Sequence, residues 1–229
     1  MTAFATLQFR QQGGGALTVP VETLVIAGWT GRDAAAVEAH IIELAAIGVP
    51  RPSSVPVFYR VGASLLTTAE EVEALGDSSS GEVEFVLFGT PEGMLIATGS
   101  DHTDRKVESY SISVSKHMCP KPVSPEVWRF DEVADHFDQL VLRSWAVDGG
   151  RKRLYQEGTA VAIRPPLELV GKYTGGEKTL PPGTAMFCGT FAVHGEVKAA
   201  ERFEFELEDP VRKRKLTHGY TVRSVPIVT

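Results

Sequence analysis

Two glutamates one residue apart, Glu82 and Glu84, stand at the mouth of the apolar run GEVEFVLFG at 81–89, and Asp101 follows inside SDHTDR. Side chains on a strand alternate faces, so both glutamates would point the same way, about 7 Å apart along the chain. Val86 and Phe88 continue that face, while Val83, Phe85 and Leu87 fill the other. Like charges this close repel unless water or a cation screens them. Two readings follow: a strand end emerging into solvent, or ligands aimed together at an ion. Asp101 adds a third carboxylate if the intervening chain returns as a hairpin. Three carboxylate oxygens plus water suit a hard cation such as Mg²⁺, Mn²⁺ or Ca²⁺. His102, Asp104, His117 and Cys119 offer a rival zinc set through H-x-D and H-x-C. Their spacing fits no established zinc pattern, and satisfied polar residues explain them more simply.

The elements that must position these groups can be read from periodicity and turn residues. Leu7 to Ile26 reads as strands around QQGGG, and Asp33 is placed to cap a helix over AAAVEAHIIELAAIG. Val37, Ile41 and Leu44 would form its apolar face, with Gly48 and Pro50 ending it. VPVFYRV at 55–61 reads as a strand, and TTAEEVEALG at 67–76 as a short helix or turn. EVEFVLFG and MLIATGS form a hairpin around TPEG. Residues 104–115 read as another strand, the prolines of 120–125 as an irregular crossing, and 131–146 as an amphipathic helix. Beyond Asp148 the chain is rich in strand and turn patterns. One α+β domain over 1–229, predominantly β, is the expected fold class, with strands in 1–20.

Hydrophobic residues make up 43% of the 229 and charged residues 23%, which is the balance of an ordinary globular protein. A net charge of −6 argues against nucleic acid as a partner. The basic cluster Arg212–Lys215 follows ELED and reads as a solvated turn. There is no apolar run of the ~18 residues a membrane span needs, and MTAFATLQFR has no secretory pattern. Cys119 and Cys188, far apart and outside any CxxC, read as reduced thiols of a cytoplasmic protein.

Taken in order, the motifs resemble those of the fumarylacetoacetate hydrolase superfamily, and within it a bacterial branch known as the DUF2848 family. EVEFVLFG is similar to that superfamily's E-x-E strand, and SDHTDR to its D-x-(S/T)-A-R-D segment, which implies the metal triad Glu82, Glu84 and Asp101. SKHMCPKPVS resembles the segment holding an active-site lysine, which places that role on Lys116. LPPGTAMFCGTFAVHG resembles a late turn whose Gly189 and Thr190 would sit against substrate. VPVFYRV resembles P-x-x-F-x-K-P, where Arg60 stands for the lysine, a departure that still suits a carboxylate grip. AHIIEL supplies His40 and Glu43 with the family's His–Glu spacing, a general base and the residue that orients it. Its place beside the Val37/Ile41/Leu44 stripe suggests partial burial of His40.

The resemblance spans roughly residues 22 to 222 and implies a fumarylacetoacetate hydrolase-like mixed β-roll with a few helices. It implies a homodimer and a divalent ion, Mg²⁺ or Mn²⁺ before Ca²⁺. The implied activity is metal-dependent hydrolysis of a C–C bond in an acylpyruvate or related 1,3-dicarbonyl or 2-oxo acid, through a metal-bound enolate. An oxaloacetate-type decarboxylase and an oxo-acid hydratase or isomerase are the alternatives, with a non-catalytic small-molecule binder on the same scaffold behind them.

Overall fold

The computed structural model describes residues 3–46 and 51–228. A hairpin of β1 (Ala5–Gln11) and β2 (Ala16–Val21) turns through Gly13, whose φ of +81° is a left-handed position that glycine supplies. After β3 (Thr23–Gly28), Asp33 caps α1 (Ala34–Ala46), its Oδ1 accepting the N–H groups of Ala35 and Ala36 at 2.9 and 3.1 Å. Then come β4 (Val57–Val61), β5 (Leu66–Thr67), β6 (Glu71–Leu75) and β7 (Ser79–Ser80). The expected hairpin is present as β8 (Val83–Thr90) and β9 (Gly93–Ser100). It is followed by β10 (Thr103–Asp104), α2 (Arg105–Glu108), α3 (Ile112–His117), β11 (Lys121–Pro122) and β12 (Glu126–Arg129). The rest holds β13 (Val141–Asp148), β14 (Arg151–Thr159), α4 (Pro166–Thr174), β15 (Thr184–Phe187), β16 (Arg202–Asp209) and β17 (Arg214–Val225).

Eight strands form one mixed sheet in the order β2-β1-β12-β9-β8-β15-β3-β4. It curls on itself: Phe9 of β1 and Phe88 of β8, three places apart in that order, meet edge to face at 5.1 Å. Leu24, Ile26, Val86, Ala97, Val127 and Phe187 fill the interior of this roll. The other face of β8, with Val83, Phe85 and Leu87, packs on Leu142, Phe203, Phe205 and Tyr220 of a five-stranded sheet ordered β14-β13-β16-β17-β6. Each such side chain taken fully out of water contributes about 1.5–3 kcal/mol. The fold is α+β and predominantly β, the mixed roll that the resemblance implied. Among the described residues, no helix is long and apolar enough to cross a membrane.

Three expected elements differ. Residues 71–75 are a strand, because Val72 and Ala74 alternate inward and pair with β17 in parallel register. Residues 104–115 fold into α2 and α3, whose N–H groups are capped by Asp104 (2.8 Å from Val107 N) and Ser111 (3.4 Å from Val114 N). The helix expected over 131–146 is two 3₁₀ segments, Phe130–Glu132 and Ala134–Gln139, followed by β13. Val133, Phe137 and Leu140 are buried as that helix would have buried them, but Leu142, Ser144 and Ala146 alternate inward between β14 and β16. Pairing on both edges overrides the local 3.6-residue period. Helix α4 had no expectation; Pro166 opens it and Gly175, at φ +79°, closes it. The stop expected at Gly48 and Pro50, and the side chain of Leu44, lie outside the described residues.

Candidate metal centre and active site

Glu84 extends the inward face of β8, so it points into the open end of the roll, where the alternation passes from Phe88 and Val86 to a carboxylate. Glu82 precedes the strand, and the hairpin continues past its ends: the N–H of Asp101 donates to the Glu82 carbonyl at 2.9 Å. One oxygen from each of Glu82, Glu84 and Asp101 lies within 4.8 Å of the others. Glu84 is 2% exposed and Asp101 fully buried. The sequence reading of these three as one cluster therefore agrees with their placement.

Cations gather on the same oxygens. Lys116, buried in α3, forms an ion pair with Asp101 Oδ2 and lies 3.7 Å from Glu82 Oε2. Lys121 of β11, fully buried, reaches Asp101 Oδ1 at 3.3 Å and donates to the carbonyls of His102 and Cys119 at 2.7 and 2.9 Å. Arg105 bridges Glu82 and Glu108 at 3.0 and 2.9 Å, and among the described residues its Nη2 has no hydrogen-bond partner. Sequence reasoning missed both Lys121 and the role of Arg105. Lys121 offered one signal, a lone lysine between two prolines before an apolar valine.

Burial pushes the Glu84 carboxyl well above the usual range, with Asp101 adding to it against Lys116 and the Gly189 N–H. Burial also acts to raise Asp101, but Lys116, Lys121 and Arg105 outweigh it and hold that carboxyl low. Asp101 Oδ1 is nevertheless buried without a well-aligned hydrogen bond among the described residues. A buried acceptor left short of donors, in a cluster of three carboxylates, fits a divalent cation. The spread of the three oxygens is about twice the ~2.1–2.5 Å metal–oxygen distance, the most that two ligands of one ion can be apart.

The zinc alternative does not assemble. His102 has Nδ1 on the Tyr220 hydroxyl at 2.9 Å and Nε2 on Ser79 Oγ at 2.8 Å. Burial, joined by Lys121, pushes its pKa down to about 3. Asp104 caps α2, the exposed His117 accepts from Gly62 N at 3.2 Å, and burial pushes the Cys119 thiol up to about 11. His102, Asp104 and His117 are engaged elsewhere, and the four do not converge among the described residues.

Three other expectations change in detail. His40 is exposed rather than half-buried, its side chain 61% accessible, with Nδ1 3.6 Å from Glu43 Oε2. Ile41 takes the buried position of α1 at 2%, and His40 is turned away by one helical step. Its ring does lie 5.9 Å from that of Trp29, the residue that follows β3. Arg60 faces away from the carboxylates: Tyr59 packs with the roll interior, whereas Phe58 and Arg60 share the opposite face of β4, where Phe58 meets Tyr173. Tyr59, not Arg60, is the β4 residue on the Glu84 side. Thr190 has its hydroxyl committed, donating to Val83 O at 2.7 Å and accepting from Gln156 Nε2 at 2.8 Å. Gly189, at φ +109°, donates its N–H to Glu84 Oε2 at 2.5 Å, and a Cβ there would meet Thr30 Oγ1 at 1.7 Å.

Residues 27–220 match the family described as "Protein of unknown function (DUF2848)". No curated protein matches the chain in sequence. Among solved structures, it is similar to a protein from Oleispira antarctica assigned as a fumarylacetoacetate isomerase/hydrolase. That match has a TM-score of 0.68 and 19% identity, covering 94% of this chain and 99% of that one. It is also similar to a protein from Burkholderia cenocepacia assigned as a fumarylpyruvate hydrolase (TM-score 0.64, 17% identity, 99% and 98% covered). A third is a 2-keto-3-deoxy-D-arabinonate dehydratase complexed with magnesium and 2,5-dioxopentanoate (TM-score 0.65, 16% identity, 93% and 78% covered). The carboxylate cluster thus sits at the end of a roll shared with these proteins, and the chain belongs to the DUF2848 family, on a fumarylacetoacetate hydrolase-like fold.

Proposed function

We propose that the protein is a divalent-metal-dependent enzyme that hydrolyses a C–C bond in an acylpyruvate or a related 1,3-dicarbonyl acid. The observation that carries this is the convergence of Glu82, Glu84 and Asp101 within 4.8 Å, with Asp101 Oδ1 short of hydrogen bonds and three cations around them. Glu82, Glu84 and Asp101 would hold the ion, Mg²⁺ or Mn²⁺ before Ca²⁺. Bound there, it supplies Lewis-acid stabilisation of the enolate left when the bond breaks. Lys116 and Lys121 fix positive charge beside the same oxygens. Three carboxylates opposed by Lys116, Lys121 and Arg105 leave the loaded site attractive to an anionic oxo acid. His40, oriented by Glu43, takes a proton from the water that attacks the distal carbonyl. The water oxygen ends in the released carboxylic acid, and a proton ends on the enolate carbon of the pyruvate product. The approach of the His40 ring to Trp29, which follows β3 beside the roll, supports a place for α1 at the mouth of the site.

The solvent exposure of His40 and its 3.6 Å separation from Glu43 favour a second reading, decarboxylation of an oxaloacetate-type acid, in which no water need be activated. Hydration or isomerisation of a related oxo acid falls in the same class. Turnover of acetylpyruvate and of oxaloacetate, each with Mg²⁺, Mn²⁺ and EDTA, separates the two. Metal-dependent loss of acetylpyruvate supports hydrolysis, and loss of oxaloacetate alone transfers the proposal to decarboxylation. Binding of oxalate without turnover of either acid would identify a non-catalytic binder. A cytoplasmic homodimer belongs to the same proposal, and sedimentation at micromolar concentration tests the dimer.

A further inference from the structure

Past Phe187, the segment that follows β15 leaves the sheet while β8 continues toward its carboxylates. The last backbone contact is from Cys188 N to Phe85 O at 3.2 Å. Val83, the residue between the two glutamates, therefore has both backbone polar groups beyond the end of the ladder on that edge. They are not left to water. The Val83 N–H donates to Gln156 Oε1 at 2.9 Å, and the Val83 carbonyl accepts from Thr190 Oγ1 at 2.7 Å. Gln156 Nε2 donates to the same Thr190 oxygen at 2.8 Å, which closes a ring through the Val83 backbone, one amide side chain and one hydroxyl. The second Nε2 hydrogen goes to Phe191 O at 2.7 Å, and Ser144 Oγ donates to Oε1 at 3.1 Å. Gln156 is 0% exposed, so each of these bonds is made away from water.

We infer that Gln156, in β14 of the other sheet, is the positioning residue that sets the aim of Glu82 and Glu84. This rests on the metal-centre reading above. Fixing both polar groups of Val83 fixes the backbone that carries a glutamate on either side. The same amide holds the Gly189–Thr190 turn, and Gly189 gives its N–H to Glu84 Oε2. Phe191 presses this turn onto β14, where the ring occupies the space a Cβ of Gly158 would need, at 2.6 Å. Only a side chain with both a donor and an acceptor at its tip closes the ring. Glutamate keeps the shape but cannot make the two donations, and methionine makes neither kind of bond. Outer partners that orient ligand-bearing groups typically change metal affinity by about 10–100-fold.

The test compares Mn²⁺ binding, by titration and by the electron paramagnetic resonance spectrum of the bound ion, with melting in EDTA. Gln156→Met and Gln156→Glu should weaken Mn²⁺ by about 10–100-fold and alter the spectrum. Ser144→Ala, which removes a bond outside the ring, should leave both within twofold. A purely structural glutamine would lower the melting temperature and leave the Mn²⁺ dissociation constant and spectrum unchanged, and that result overturns the inference. If the Gln156 variants do not fold, Thr190→Val, which deletes only the hydroxyl from the ring, decides it on the same readouts. Wild-type protein that binds no Mn²⁺ would instead remove the metal-centre reading and this inference with it.

Discussion

Replacing Glu84 with glutamine should stabilise the metal-free protein at neutral pH while removing its response to metal. Glu84 is 2% exposed, and burial, then Asp101, raises its pKa well above the usual 4.5. A carboxyl raised on folding contributes stability that is fully present below its unfolded pKa and is lost as the pH rises through its folded pKa. Across that window the loss is about 1.4 kcal/mol per pH unit. At about 2–4 °C per kcal/mol for a chain of this size, melting in EDTA should fall by about 3–6 °C per pH unit on account of this one group. The amide of the variant has no proton to lose, so the difference between wild-type and Glu84→Gln melting temperatures should grow in the variant's favour by that slope as the pH rises above the usual carboxyl value. A divalent cation reverses the order, because it binds the ionised form and releases the proton. At a hundred times its dissociation constant, it should stabilise the wild type by about 2.7 kcal/mol and the variant by far less. Melting curves at half-unit pH steps, with EDTA or Mn²⁺, supply both comparisons. Parallel pH profiles in EDTA, or equal Mn²⁺ shifts in the two proteins, would refute the reasoning.

Asp101→Asn should behave oppositely in EDTA, losing about 3–5 kcal/mol because fully buried Lys121, whose pKa burial already lowers, loses its carboxylate and Lys116 keeps only Glu82, as urea titration can measure. Glu82→Gln should abolish metal-dependent turnover; activity that persists and still responds to chelation would count against the metal centre. For His40→Ala, Mn²⁺ affinity should stay within twofold while hydrolysis falls by about 10²–10⁴-fold, checked by calorimetry beside an acetylpyruvate assay. Unchanged hydrolysis there removes His40 from the mechanism. Gly189→Ala forces a side chain into a φ of +109° and onto Thr30, so its melting temperature should drop even in EDTA, with the Glu84 contact disturbed as well.

The carboxylate cluster was legible because its parts are local. Alternation gave Glu82 and Glu84 one direction, and the TPEG turn brought Asp101 back beside them. The Asp33 cap was readable on the same local terms, whereas Lys116 was reached only through the resemblance of SKHMCPKPVS to the family's lysine segment. Lys121 and Gln156 were not, since each reaches the site through pairings between distant segments that no spacing encodes. Arg60 misled because its match to a motif outweighed the two-residue period of its own strand, which turns Tyr59 inward instead. The 131–146 segment misled in the other direction. Val133, Phe137 and Leu140 are buried at helical intervals, yet β14 and β16 draw the following residues into a strand.

All three candidate ligands sit at the ends of a single hairpin, separated by fewer than twenty intervening residues, whereas Gln156 and Gly189 come from much further along the chain. In folding terms the two sets belong to different times. A hairpin closes in on the order of microseconds, because little loop entropy opposes it. The clamp on Val83 must wait for the second sheet to dock and for the chain near residue 190 to return, contacts of high sequence separation that form slowly. The acidic cluster can therefore gather during folding before its geometry is set. Until the two sheets have closed, the three carboxylates make a flexible acidic cluster rather than a site of set geometry.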